Sequence, residues 1–140
     1  MSKNTFALWT FGDAHIGTDL KQNRHSLAES LRTSEQGGDS GGPPFDWHIA
    51  VDIGDMSGGQ DLPDDDEGQE VVQQFAALAQ HQREDIYSIC GNHDRSGLTE
   101  QLAWWWQKWI DPLGEHAVYS GVDSAKRPYP IEGTWERYSS

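Results

Sequence analysis

Short apolar runs recur three times along the chain, and a glycine follows each of them, either directly or after one further residue. The three runs are residues 4–11 (NTFALWTF), 47–53 (WHIAVDI) and 85–89 (DIYSI). β-branched and aromatic residues are typical of strands, and glycine commonly marks the point where a strand ends. The pattern therefore predicts three short β-strands.

Segments with apolar residues at helical spacing follow each of these runs. The apolar positions are Leu20, Leu27 and Leu31; then Val71, Phe75, Leu78 and Ala79; then Leu98, Leu102, Trp105, Trp106, Trp109 and Ile110. Such spacing predicts amphipathic helices, and it favours core packing over ligand binding for the tryptophans. Asp111-Pro112 ends the third helix. Residues 113–133 are predicted to be irregular, and residues 133–140 resemble the start of another strand.

The alternation of strand and helix predicts an α/β fold with a mostly parallel sheet and crossover helices. Parallel strands joined by right-handed crossovers all point the same way, so their carboxyl ends lie along one edge of the sheet. Ligands of such folds bind at that edge. Residues that follow the three strands are therefore the first candidates for a functional site.

Composition restricts the classes of partner. Asp and Glu number 23 against 10 Lys and Arg, which gives a formal net charge of −13. This balance argues against a broad interface with nucleic acid or anionic membranes, both of which need a basic face. The single cysteine, Cys90, excludes an internal disulfide and is predicted to be a small buried hydrophobe. Neither a signal peptide nor a membrane-spanning run is visible, so a soluble, cytoplasmic protein is expected.

Polar residues that can bind metal follow all three predicted strands. They lie in the sequences Gly12-Asp13-Ala14-His15, Gly54-Asp55 and Gly91-Asn92-His93-Asp94. Each sequence alone is more typical of a turn or a helix cap than of a ligand. Because one edge of one sheet brings all three together, their joint occurrence predicts a metal site.

The residue types suit a site with two ions. Asp13 and His15 are two residues apart, so in an extended segment their side chains project to one side and can bind one ion. Asp55 has two carboxylate oxygens and can bridge ions about 3.5–4 Å apart, as in two-metal hydrolytic sites. Asn92 offers a neutral oxygen to the second ion. Mixed oxygen and nitrogen ligands without thiolate fit Mn, Fe, Zn or Co.

His93 and Asp94 are predicted to serve the reaction itself. If Asn92 faces the metals, the neighbouring imidazole can reach the leaving oxygen of a substrate. Asp94 can then hold the other ring nitrogen and favour the imidazolium. Gly91 allows the sharp turn that this arrangement requires.

These motifs resemble those of the calcineurin-like metallophosphoesterase superfamily, whose first three are Asp-x-His, Gly-Asp and Gly-Asn-His-Asp/Glu. The resemblance covers roughly residues 4–110. It implies a four-layer αββα fold, of which residues 1–140 are the N-terminal part of a single domain. It also implies two divalent ions, with Mn²⁺ favoured. The roles implied are Asp13, His15 and Asp55 at the first ion, Asp55 and Asn92 at the second, and His93 with Asp94 at the leaving group.

The implied activity is hydrolysis of phosphoester bonds by a metal-activated hydroxide. The family pattern continues with a further His and a Gly-His-x-His motif, whereas His116 is the only histidine here after Asp94. The resemblance therefore implies that the C-terminal half of the fold is missing, and catalysis by this chain alone is an open question.

Two other functions stay open on the sequence. A non-catalytic metal-binding or interaction module would keep the first sheet and lack the rest. A phosphatase with an aspartyl nucleophile would also begin with Asp after a strand, although that chemistry does not need Asn92-His93. The sequence predicts a phosphoester substrate without deciding among monoesters, diesters and nucleotides, and it leaves the oligomeric state open.

Overall fold

The structure, a computed structural model, describes residues 4–18, 24–38, 42–59, 62–95 and 104–131. It contains three strands, β1 (Leu8–Phe11), β2 (Ile49–Asp52) and β3 (Ile86–Ser88). They form one sheet in the order β1-β2-β3, and both pairs are parallel. The prediction of an α/β fold with a parallel sheet is therefore confirmed, and the strands are shorter than the apolar runs.

Four helices accompany the sheet in the described ranges. They are α1 (Leu27–Gln36), α2 (Asp65–Phe75), α3 (Trp104–Trp109) and α4 (Ala117–Ser120). Both longer helices start with a capping box, in which the N-cap side chain and a glutamate three residues later satisfy backbone amides reciprocally. The N-caps are Ser26 in α1 and Asp64 in α2. The acidic run at residues 64–67 thus forms the N-cap and the first turn of α2.

Some predicted element bounds differ from the observed ones. Helix α1 begins at Leu27 because the Ser26 capping box sets its first turn, and residues 20–23 of the predicted helix lie outside the described residues. Residues 113–133 were predicted to be irregular, but α4 and a 3₁₀ helix at Ser124–Lys126 lie within them. Residues 98–103 and 133–140, the start of the third predicted helix and the predicted last strand, lie outside the described residues.

The core lies on one face of the sheet. Consecutive strands in the order β1-β2-β3 with right-handed crossovers place the connecting helices on the same side. Ala50 and Ile86 on that inner face are fully buried, as are Leu31 of α1 and Val71 of α2. The α3 tryptophans complete the core, which confirms the packing interpretation of that stripe: Trp105, Trp106 and Trp109.

The outer face of the sheet remains largely open among the described residues. Leu8, Ile53 and Ile89 are 53%, 57% and 43% exposed. Tyr87, in the middle of β3, is covered on this face: its hydroxyl donates to the carbonyl oxygen of Tyr129 at 2.6 Å and accepts from its amide at 2.8 Å, and Ile49 and Val51 of β2 are partly buried. Parallel sheets are normally covered on both faces, so this apolar surface is unusual.

No helix in the described ranges is both long and apolar enough to cross a membrane.

Candidate metal centre

The loops after β1 and β2 run side by side beyond the strands. The Asp13 amide donates to the carbonyl oxygen of Gly54 at 2.9 Å, and the His15 amide donates to that of Asp55 at 3.0 Å. The next amide, that of Ile16, donates to Met56 at 2.7 Å. These bonds continue the parallel ladder past the sheet, so two of the three predicted motifs are held in a fixed register.

The loop after β3 approaches the second loop so closely that only glycine fits. A Cβ atom at Gly91 would lie 2.2 Å from both the amide nitrogen and Oδ1 of Asp55. A Cβ atom at Gly54 would lie 2.7 Å from the Gly91 Cα. The two glycines therefore permit the contact between the second and third motifs, a role beyond the sharp turn that the sequence predicted for Gly91.

Asp94 joins the same two loops through its carboxylate. Its Oδ2 accepts hydrogen bonds from the amides of Asp55 and Gly91, each at 2.9 Å, and its Oδ1 accepts one from Ser57 at 3.0 Å. The side chain is fully buried. Burial raises the pKa of Asp94, while the three amide donors oppose that rise by stabilising the ionised form.

The cluster itself consists of His15, Asp55 and His93. One possible ligand atom from each lies within 4.8 Å of those from the other two. His15 Nε2 is 3.8 Å from Asp55 Oδ2 and 3.3 Å from Asp13 Oδ1. The His93 amide donates to Asp55 Oδ1 at 2.9 Å, which fixes that carboxylate. Two imidazoles and a carboxylate, all half-buried, are a donor set that fits Zn, Mn or Fe.

The orientation of His93 differs from the one expected. Its Nδ1 lies 3.0 Å from the carbonyl oxygen of Gly59, whereas Asp94 was predicted to hold a ring nitrogen. A carbonyl oxygen only accepts, so Nδ1 carries a proton and Nε2 is left for an ion or a substrate. Metal-binding and catalytic histidines are commonly oriented by such a bond. The carbonyl of Gly59 therefore takes the place expected for Asp94.

Residues of the same site have an unusual, left-handed backbone conformation. Four non-glycine residues in the described ranges have positive φ, and three of them are Asp13 (52°), His15 (47°) and Asp55 (60°). This region is sparsely populated by residues with a Cβ atom, and such conformations concentrate at functional sites. The Asp13–His15 segment is thus not extended, as the sequence argument assumed. Its side chains meet because two left-handed residues turn it.

The structure thus brings together most of the predicted site residues. Asp13, His15, Asp55 and His93 meet at the carboxyl edge of the sheet. Asn92 is exposed on the third loop, and its role as a ligand of a second ion stays a prediction. The sequence did not identify Gly59, because nothing in a Ser-Gly-Gly loop indicates which carbonyl oxygen will face a histidine.

The surroundings of Cys90 disfavour its thiolate form. Burial, reinforced by the nearby Asp94 carboxylate, raises the pKa of Cys90 to about 12. A thiol in this state lacks the thiolate that acts as nucleophile or metal ligand. Cys90 packs against the core but is only partly buried, so the prediction of a small buried hydrophobe is met in part.

Asp52 supports the second loop from the buried face of β2. Its Oδ1 accepts a hydrogen bond from the Gly54 amide at 3.0 Å, and the side chain is fully buried. Burial, with a smaller contribution from Asp94, raises the pKa of Asp52 to about 7. Between about pH 4 and pH 7 the folded chain therefore binds a proton that the unfolded chain has released, and its stability falls as the pH rises.

We expect Asp52→Asn to reduce this pH dependence. Asparagine keeps an oxygen for the Gly54 amide but cannot ionise, so the variant should exceed the wild type in stability at pH 8 by up to about 4 kcal/mol. At pH 4 the two should be similar. Urea denaturation of the metal-free proteins at both pH values measures the difference. Equal stability at pH 8 would show that Asp52 is not buried as a neutral acid.

No protein-family model matches the chain, and neither a curated protein nor a solved structure is significantly similar to it. A functional assignment therefore depends on the residues of this chain: three loops at one sheet edge, a His15–Asp55–His93 cluster that could hold an ion, and left-handed backbone at His15 and Asp55.

Proposed function

We propose that the chain is the metal-binding portion of a metal-dependent phosphoester hydrolase of the calcineurin-like metallophosphoesterase superfamily. The observation that carries the proposal is the convergence of His15, Asp55 and His93, one from each strand end, within 4.8 Å. Positive φ angles at His15 and Asp55 add support, because such strain is tolerated where function requires it.

Each residue would have a distinct role. Asp13, His15 and Asp55 would hold one divalent ion, and Asp55 with Asn92 a second, Mn²⁺ being favoured and Fe, Zn or Co also compatible. Such ions supply Lewis acidity at the phosphoryl group and lower the pKa of water. His93, with Nδ1–H held by Gly59, would present its other nitrogen to the reacting group.

The sheet supports the larger fold that the resemblance implies. A four-layer αββα domain has a second sheet packed against the first, and the exposed outer face formed by Leu8, Ile53 and Ile89 offers the apolar surface for it. We therefore propose that residues 1–140 are the N-terminal part of such a domain.

A metal-binding module without catalysis is the second candidate. After Asp94 the only histidine is His116, which is exposed beside α4. The described cluster thus offers three close ligands, enough for binding one ion. This candidate predicts Mn²⁺ binding without turnover.

The test is hydrolysis of p-nitrophenyl phosphate and bis-p-nitrophenyl phosphate with and without Mn²⁺. We expect Mn²⁺-dependent turnover, and we expect His93→Gln to lower kcat by about a hundredfold or more, as loss of a positioned acid or base does. His25→Gln is the matched control, because that histidine is exposed and outside the cluster. Mn²⁺ binding without turnover by the wild type would favour the module, and absence of Mn²⁺ binding would exclude both candidates.

A further inference from the structure

Arg24 lies on the segment that precedes α1, and hydrogen bonds link it to the loop that carries His15. Its Nη2 donates a hydrogen bond to Thr18 Oγ1 at 3.2 Å. The Thr18 hydroxyl donates in turn to the carbonyl oxygen of His15 at 2.9 Å. The guanidinium is therefore two hydrogen bonds away from the backbone of a predicted metal ligand.

Thr18 also lies against the Gly58-Gly59 segment, which orients His93 by a hydrogen bond. A Cβ atom at Gly58 would lie 2.7 Å from Thr18 Oγ1 and 2.4 Å from the His15 carbonyl oxygen. The next residue, Gly59, accepts the hydrogen bond from His93 Nδ1. Thr18 and the Gly58-Gly59 segment therefore connect Arg24 with His93.

Among the described residues, the charge of Arg24 has no acidic partner. In the part of the chain that the structure describes, the Thr18 hydroxyl is its one hydrogen-bond partner, and no ion pair links it to a carboxylate. A guanidinium has five N–H donors, so most remain available. An arginine with free N–H donors, close to a candidate metal site, suits an anionic ligand.

We propose that Arg24 binds the non-bridging phosphate oxygens of the substrate and makes the site selective for phosphate monoesters over diesters. The proposal rests on the proposed function and adds a substrate class to it. A monoester dianion has three terminal oxygens and accepts the planar guanidinium fork in a bidentate way. A diester has one negative charge and two terminal oxygens, so it gains less from the same contact.

The experiment compares Arg24→Gln and Arg24→Lys with the wild type, and Arg32→Gln is the control because Arg32 is exposed on α1. The probes are inorganic phosphate, titrated calorimetrically into the Mn²⁺-loaded chain, and the two p-nitrophenyl esters. We expect Arg24→Gln to weaken phosphate binding and raise the monoester KM by about tenfold or more, as loss of a charge-assisted hydrogen bond does. The diester KM should change by less than about threefold, lysine should restore part of the effect, and Mn²⁺ affinity should be unchanged.

The possible failures are distinguishable. If the wild type hydrolyses both esters and Arg24→Gln leaves phosphate affinity and the monoester KM unchanged, the role of Arg24 is overturned and the proposed function stands. If the wild type binds phosphate without turnover and Arg24→Gln weakens that binding, the anion site stands and the enzymatic function is overturned. If the Mn²⁺-loaded wild type neither binds phosphate nor turns over, both are overturned.

Discussion

Asp55→Asn is expected to weaken Mn²⁺ binding by about a hundredfold or more, since replacing even a group that supports a ligand commonly costs 10–100-fold. Asp55 is the one member of the cluster with two oxygens. Its Oδ1 accepts the His93 amide, and its Oδ2 faces His15 Nε2 at 3.8 Å. Asparagine has the same shape and keeps one oxygen for the amide, but it removes the charge and one ligand atom. The loss should therefore appear in metal affinity more than in stability.

Asp46→Asn provides the comparison, because it removes the same charge from an exposed position outside the cluster. Isothermal titration with Mn²⁺ measures both affinities, and thermal denaturation of the metal-free proteins checks that both variants fold. An Asp55→Asn affinity within threefold of the Asp46→Asn value would contradict a central role for Asp55.

Asp94→Asn is expected to destabilise the metal-free chain by about 2–4 kcal/mol, because hydrogen bonds to a charged group contribute about 1.5–3 kcal/mol each. The carboxylate accepts three backbone amides, two of them at the same oxygen. The asparagine oxygen can still accept at one of the two positions, but the NH2 group at the other cannot accept, so at least one of the three hydrogen bonds is lost and the rest no longer go to a charged group. Burying a neutral side chain costs less free energy than burying a carboxylate, and this difference offsets part of the loss.

The same substitution should also lower Mn²⁺ affinity, by about tenfold, because it weakens the hydrogen bonds through which residue 94 links the Asp55 loop to the Gly91 loop. Asp66→Asn is the control. It is exposed in the first turn of α2, where loss of a favourable charge–dipole interaction costs less than about 1 kcal/mol. Urea denaturation gives the stabilities. Should Asp94→Asn prove as stable as Asp66→Asn, the carboxylate does not join the two loops.

The positions of the strands and of the site were predictable because their signals are local. The apolar runs before Gly12, Gly54 and Gly91 can be identified from residue types alone, and the observed strands lie inside them. The alternation with helices then placed Asp13, Asp55 and His93 at one edge through a general rule of chain topology. Element bounds were less predictable, since the first turn of α1 depends on reciprocal bonds between Ser26 and Glu29.

The details of the site depended on contacts between loops that are distant in sequence. Asp94 was expected to orient His93 because the two are neighbours, yet Asp55, Ser57 and Gly91 take both of its oxygens. The partner of His93 is Gly59, 34 residues earlier in the chain. A backbone carbonyl oxygen has no identity in the sequence, so composition and spacing could not indicate it.

The sequence by itself determined the class of fold and most of the residues that gather at one edge, because strand propensity and helical periodicity act locally. Only the tertiary structure decided how the site is held. The close contact of Gly54 with Gly91, the left-handed backbone of Asp13, His15 and Asp55, and the exposed outer face of the sheet follow from packing between segments far apart in the chain. Such packing depends on the shape of the assembled loops, which no single segment encodes.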